Sequence, residues 1–176
     1  MRRIIIRYGL ISGAVVIVSF IIGMAMSASS ANTTFPELLG YLIMIIALSM
    51  IFIGVKQYRD KELGGIIKFG TAFKVGIGIT LIASLIYVIG WEINLAATDY
   101  NFIEEYTASV MEKKQADGLE GAALEAEQAR MDEMVEQYHN VWYRLPITFI
   151  EIFPVGLLMT LLSATLLRNS RFMAAA

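Results

Sequence analysis

The chain has no cysteine. That excludes a disulfide framework, thiolate metal ligation and thiol nucleophiles. It has a single histidine, His139. One imidazole among dispersed carboxylates lacks the spacing of a zinc site, so no metal is expected. No serine sits in a nucleophile elbow, and no glycine-rich stretch ends in the Gly-Lys-Ser/Thr of a P-loop. Catalytic residues and cofactors are therefore expected to be absent, and the chain is not read as an enzyme. Charge is scarce too: 17% of residues are charged against 57% apolar.

What is there is apolar and arranged in four runs, Tyr8–Met26, Leu38–Val55, Val75–Ile93 and Leu145–Leu167. Each is close to the ~17–25 residues that cross a hydrocarbon core as a helix. Lipid offers backbone groups no partners, so a spanning segment of this kind is helical. The sequence predicts an all-α polytopic membrane protein, one domain over residues 1–176, with transmembrane helices at about 8–26, 38–55, 75–95 and 145–167. Ten of the 14 Lys and Arg residues lie in the N-terminus, the connection 56–74 and the C-terminus. With an even number of crossings these share one side. Loops rich in Lys and Arg stay cytoplasmic, so both termini are expected inside. The basic start and the small residues Ala25–Ala31 also resemble a signal peptide, but the segment is read as a retained first helix.

The first run carries Gly9, Ser12, Gly13, Ser19 and Gly23 within about one third of the helix circumference. Such a face lets helix backbones approach closely in lipid, either within a bundle or in a homo-oligomer. Pro36 and Glu37 open the second run, where proline is tolerated and a carboxylate meets the positive end of the helix dipole. The inside connection 56–74 reads as an elbow: Gly64-Gly65 marks a break, and Ile66–Phe73 suits a short interfacial segment. Its Lys56, Arg59, Lys61, Gly64, Gly65, Lys68 and Lys74 could hold an anionic lipid head or phosphate, or could simply set topology. The connection 99–143 is acidic and rich in helix formers. Residues 92–144 hold twelve carboxylates against four Lys or Arg. Leu124, Met131 and Tyr138 recur every seven residues, with Val135 and Trp142 at the complementary spacing. That predicts an amphipathic helix of about six turns pairing with a helix in Tyr100–Lys114, an extracytoplasmic hairpin broken at Asp117-Gly118. The tail after Arg168 is expected to have no structure of its own.

Aligned side by side, the predicted helices place Glu37, Glu92, Asn94, Arg144, Glu151 and His139 near one outer layer. Ionisable groups at membrane depth are costly and mark candidate sites. Glu151 is the deepest, three residues before Pro154, whose missing N–H frees the carbonyl of Ile150. Three readings fit: an interhelical lock pairing Arg144 with Glu151 or Glu92, a carboxylate site for a proton or cation, or recognition of a lipid or partner helix. Nucleic-acid binding has no support, because the cations border the membrane.

Two segments carry a resemblance. Tyr58–Lys61, Gly64-Gly65 and Phe69–Gly76 form the first; Phe149–Leu157 with Leu162-Ser163-Ala164 forms the second. Together they resemble a bacterial inner-membrane family known only as domain of unknown function four-one-nine-nine. The resemblance implies four helices, a variable exterior stretch and residence in the bacterial inner membrane. It brings no activity. The function expected is that of an accessory or scaffold protein holding membrane lipids, a partner membrane protein or a second copy. A small transporter or lipid-handling protein working through Glu151 and Glu92 is the alternative.

Overall fold

The computed structural model describes residues 1–27 and 35–174, with side chains described outside 24–41. Glu37 therefore lies outside the described side chains. All regular structure among the described residues is helical: α1 (Arg2–Ser27), α2 (Phe35–Leu48), α3 (Met50–Glu62), α4 (Phe69–Ala97), α5 (Phe102–Ala116), α6 (Gly121–His139) and α7 (Val141–Leu167). Among the described residues, four stretches are long and apolar enough to cross a membrane: Arg2–Gly23, Leu42–Glu62, Phe69–Ala97 and Val141–Leu167. This is a membrane protein. The second crossing joins α2 to α3 through Ser49, which keeps a helical backbone at φ −61°, ψ −18°. Ser49 Oγ donates to the Ile46 carbonyl at 2.5 Å. Such back-bonding by serine is a usual cause of a local helix irregularity.

The chain divides into two compact units, residues 1–90 with 149–176, and residues 91–148. In the first unit α4 is the hub. Cβ atoms built on Gly9 and Gly13 of α1 would lie 2.6 Å from Ile82 and Ile86 of α4. In return, Gly78 and Gly90 of α4 face Ile5 and Ile17 of α1. Every step of four residues along α1 is matched by four along α4, so the two helices run parallel. Glycine on one helix receives isoleucine from the other at each level, which lets the backbones approach closely. The small-residue face predicted on the first helix is thus filled from within the chain at Gly9 and Gly13. Ser12, fully buried, donates Oγ–H to the Ala47 carbonyl of α2 at 2.9 Å. Ser19 is half-buried, and Gly23 meets no described atom within 4 Å.

The connection between the second and third crossings is shorter than the sequence suggests. Helix α3 continues to Glu62 and α4 begins at Phe69, leaving residues 63–68 as the turn. Gly64 and Gly65 occupy φ +65° and +91°, values that L side chains resist. The stretch Ile66–Phe73 is not a separate interfacial segment. Ile67 is buried, and Phe69 stacks on Phe73 in the first turns of α4 with ring centroids 6.2 Å apart.

In the second unit α5 and α6 pair as predicted. Gly118, at φ +90°, breaks the chain between them. Trp91, Leu95, Ile103, Met111 and Met131 are buried apolar side chains of this unit. The sequence periodicity overran at one end: α6 stops at His139, and Trp142 belongs to α7, 81% exposed. Asn140 ends α6 in an extended backbone, ψ 111°, which breaks the helical phase the heptad count assumed. Lys114 Nζ of α5 meets Glu127 Oε1 of α6 at 2.5 Å. The hydrogen bond from Lys114 holds the Glu127 carboxyl below its ordinary value of 4.5, against a smaller rise from burial. A depressed carboxylate contributes stability that is present above the unfolded value and lost as pH falls through the folded one. Amide exchange in α5 and α6 is therefore expected to speed up between about pH 6 and about pH 3, after correction for intrinsic rates. Glu127→Gln should remove that step. An identical pH response in the variant would show that other groups set it.

Candidate functional site

The polar residues singled out from sequence fall into three groups. In the second unit Arg144 is the centre. Its side chain is 4% exposed, and Nε and Nη2 donate to both carboxylate oxygens of Glu92 at 2.7 Å each. Nη1 donates to the Tyr138 carbonyl at 2.7 Å. The guanidinium lies 5.3 Å from the Tyr100 ring centroid and 5.6 Å from that of Tyr138. Tyr100 reaches this place from a left-handed backbone, φ 59°, in the turn that closes α4. Its N–H caps that helix by returning to the Leu95 carbonyl at 2.9 Å. Trp91 Nε1 donates to Tyr138 Oη at 2.8 Å, and Trp91 meets Phe102 edge-on. A bidentate, largely buried pair of this kind fixes geometry and spends its charge internally. Of the two partners the sequence offered Arg144, Glu92 is the one that takes it. His139 joins Glu104 instead, Nε2 to Oε1 at 2.8 Å on an exposed surface. Asn94 Nδ2 is buried without a hydrogen-bond partner among the described residues.

The second group lies between α4 and α7 in the first unit. Thr80 Oγ1 is 3.1 Å from the carbonyls of Gly76 and Gly156, and 2.9 Å from Thr160 Oγ1. A methyl on Gly76 would strike Thr160, and one on Gly156 would strike Thr80. The two helices cross antiparallel at a reciprocal Gly-x-x-x-Thr contact. Sequence reading missed this pair, although the identical spacing, Gly76…Thr80 and Gly156…Thr160, was there to find. One turn beyond Thr80, Ser84 Oγ is buried with no hydrogen-bond partner among the described residues. Tyr87, buried, donates its hydroxyl to Glu151 Oε2 at 3.2 Å. Glu151 itself is exposed on α7, among the exposed residues Ile150, Pro154 and Leu158. A carboxylate on the outward apolar face of a membrane-crossing helix is an unusual placement.

The third group is the elbow. Lys61, Lys68 and Lys74 are exposed, and Lys56 is half-buried. Arg59 is fully buried and does not line an open basic surface. Its Nε donates to Asp60 Oδ1 at 2.6 Å, and Lys56 Nζ takes Oδ2 of the same carboxylate at 2.6 Å. The Nη1 and Nη2 groups donate to the carbonyls of Phe172 and Met173 at 2.8 and 2.6 Å. So the tail, expected to lack structure, docks onto α3 as far as Met173. No periodic pattern announces such a contact, because it is made through backbone carbonyls.

A family described as "Protein of unknown function (DUF4199)" matches this chain over residues 7–169. The chain belongs to the DUF4199 family. The match takes in both segments that carried the resemblance, and it includes the Glu92–Arg144 pair, the Gly-x-x-x-Thr contact and Glu151. Phe172 and Met173 lie beyond it. No curated protein and no solved structure matches this DUF4199 chain. Among the described residues, no three His, Cys, Asp or Glu side chains converge in a way that could hold a metal ion.

Proposed function

We propose that this DUF4199 protein is a non-enzymatic accessory or scaffold component of the bacterial inner membrane, which binds a partner membrane protein or lipid. Both termini would face the cytoplasm and the α5–α6 hairpin the exterior, as the distribution of Lys and Arg favours. The observation that carries the reading is the exposed carboxylate of Glu151. The buried arginines are committed to partners inside the chain, Arg144 to Glu92 and Arg59 to Asp60 and the tail. Glu151 alone of these groups points outward, from an apolar face, with one hydroxyl donor. A carboxylate so placed is costly against lipid tails and is relieved by a hydrogen-bond donor or cation from a neighbour.

The test is gentle extraction with surrounding lipid, followed by mass spectrometry of what co-purifies, with a photo-crosslinking residue at Leu158. The expected result is a stoichiometric partner crosslinked through α7. Glu151→Gln should weaken its retention about tenfold, the scale of one interhelical hydrogen bond in a membrane. Recovery of the protein alone, or a partner whose crosslinks and retention are unchanged in Glu151→Gln, would overturn the reading. The Tyr87–Glu151 contact also supports an alternative, a small transporter or lipid-handling protein in which Glu151 takes up a proton. That reading requires a pH-dependent flux in proteoliposomes that Glu151→Gln abolishes while assembly is unchanged.

A further inference from the structure

Arg59 presents a charge problem that its hydrogen bonds do not solve. Among the described residues, buried Arg59 and half-buried Lys56 share one carboxylate, that of Asp60. The remaining two donors of the guanidinium fork meet carbonyls of Phe172 and Met173, which accept protons but carry no formal charge. Asp60 thus gives one negative charge to two cations, and the Nη side of the guanidinium meets dipoles only. The groups that cover it are weakly held. Arg59 is 0% exposed, whereas Phe172 is 37% and Met173 54% exposed. Met173 sits at φ +47°, a left-handed backbone that a side-chain-bearing residue resists. One ring contact, Phe172 edge-on to Phe52 with centroids 6.4 Å apart, helps to seat the tail. Two carbonyl oxygens on the paired Nη donors of one guanidinium are also the arrangement in which arginine holds two oxygens of a phosphate.

We propose that Arg59 is a phosphate-binding fork which the chain's own tail occupies, so that a phosphate group and the Phe172–Met173 carbonyls compete for it. The phosphate supplies the charge the carbonyls lack. Exposed Lys61, in the last turn of α3, and Lys68, on the adjoining turn, add to the field that would draw it in. The site is formed by α3 and the tail, and it stands independently of what docks at Glu151.

The absence of native cysteine makes the test clean. The full chain carrying Met173→Cys is spin-labelled and placed in phosphatidylcholine nanodiscs. Tail mobility is then followed while phosphatidylglycerol is included in the disc or inorganic phosphate is added. The expected result is a rise of about tenfold in the ratio of released to docked tail, the scale of exchanging neutral for charge-assisted hydrogen bonds. A rise with phosphatidylglycerol alone assigns the site to a lipid headgroup. A rise with inorganic phosphate as well assigns it to a soluble phosphate compound. Arg59→Lys keeps the charge but loses the fork, and should abolish the response. Chloride at equal ionic strength should leave the tail docked, a control that needs no change at Arg59. No release with either phosphate probe, or an equal release with chloride, would overturn the proposal.

Discussion

Arg144→Met is expected to destabilise the second unit by about 3 kcal/mol, the scale for removing one partner of a buried ion pair. The substitution strips Glu92 of both guanidinium donors and leaves its half-buried carboxylate without them. It also removes the contact to the Tyr138 carbonyl and the cation between the Tyr100 and Tyr138 rings. Glu92→Gln should cost less, because Arg144 keeps the carbonyl and both aromatic faces. The double variant should cost less than the sum of the two, since the second change removes a group the first had already orphaned. Thermal melting of the purified protein, together with protease sensitivity of the α5–α6 segment, reads all three. Additive costs, or an Arg144→Met melting curve like that of the parent, would show that the pair does not hold this unit together.

Gly13→Leu is expected to prevent correct packing of the first unit, not merely to block association between copies. A Cβ at Gly13 would stand 2.6 Å from Ile86 Cβ and 3.0 Å from the Ala83 carbonyl. Neither neighbour is the far end of a flexible side chain. Overpacking of a close helix contact costs about 1–3 kcal/mol and sometimes more, and leucine adds three further carbons at the same place. Folded yield after membrane extraction should fall. Pairing a smaller change, Gly13→Ala, with Ile86→Ala should recover much of it, because the truncated partner returns the space. Lack of recovery would mean that backbone contact with Ala83 dominates. A Gly13→Leu protein that is fully folded but dissociated would instead restore the oligomer reading of this face.

Several features were legible before any coordinates. Four long apolar runs in lipid have one way to satisfy their backbones, so the crossings and their number follow from composition and length alone. Gly64-Gly65 and Gly118 marked turns because a positive φ needs a residue without a Cβ. The α5–α6 pair followed from apolar spacing, up to the point where Asn140 reset the helical phase and sent Trp142 to α7. The family was legible as well, since two short strings carry it.

Partner choice was another matter. The sequence supplied Arg144 with two carboxylates, and only the fold showed that Glu92 takes the guanidinium while Glu151 accepts from Tyr87. Periodicity fixes which face of a helix a residue occupies but not the rotation and height at which two helices meet. For the same reason Gly9 and Gly13 read equally well as an inner or an outer surface until α4 was seen to bring Ile82 and Ile86 to them. Arg59 lay in a basic elbow by sequence, and only the fold buried it beneath the carbonyls of residues more than a hundred positions away, a contact made by backbone atoms that every residue shares.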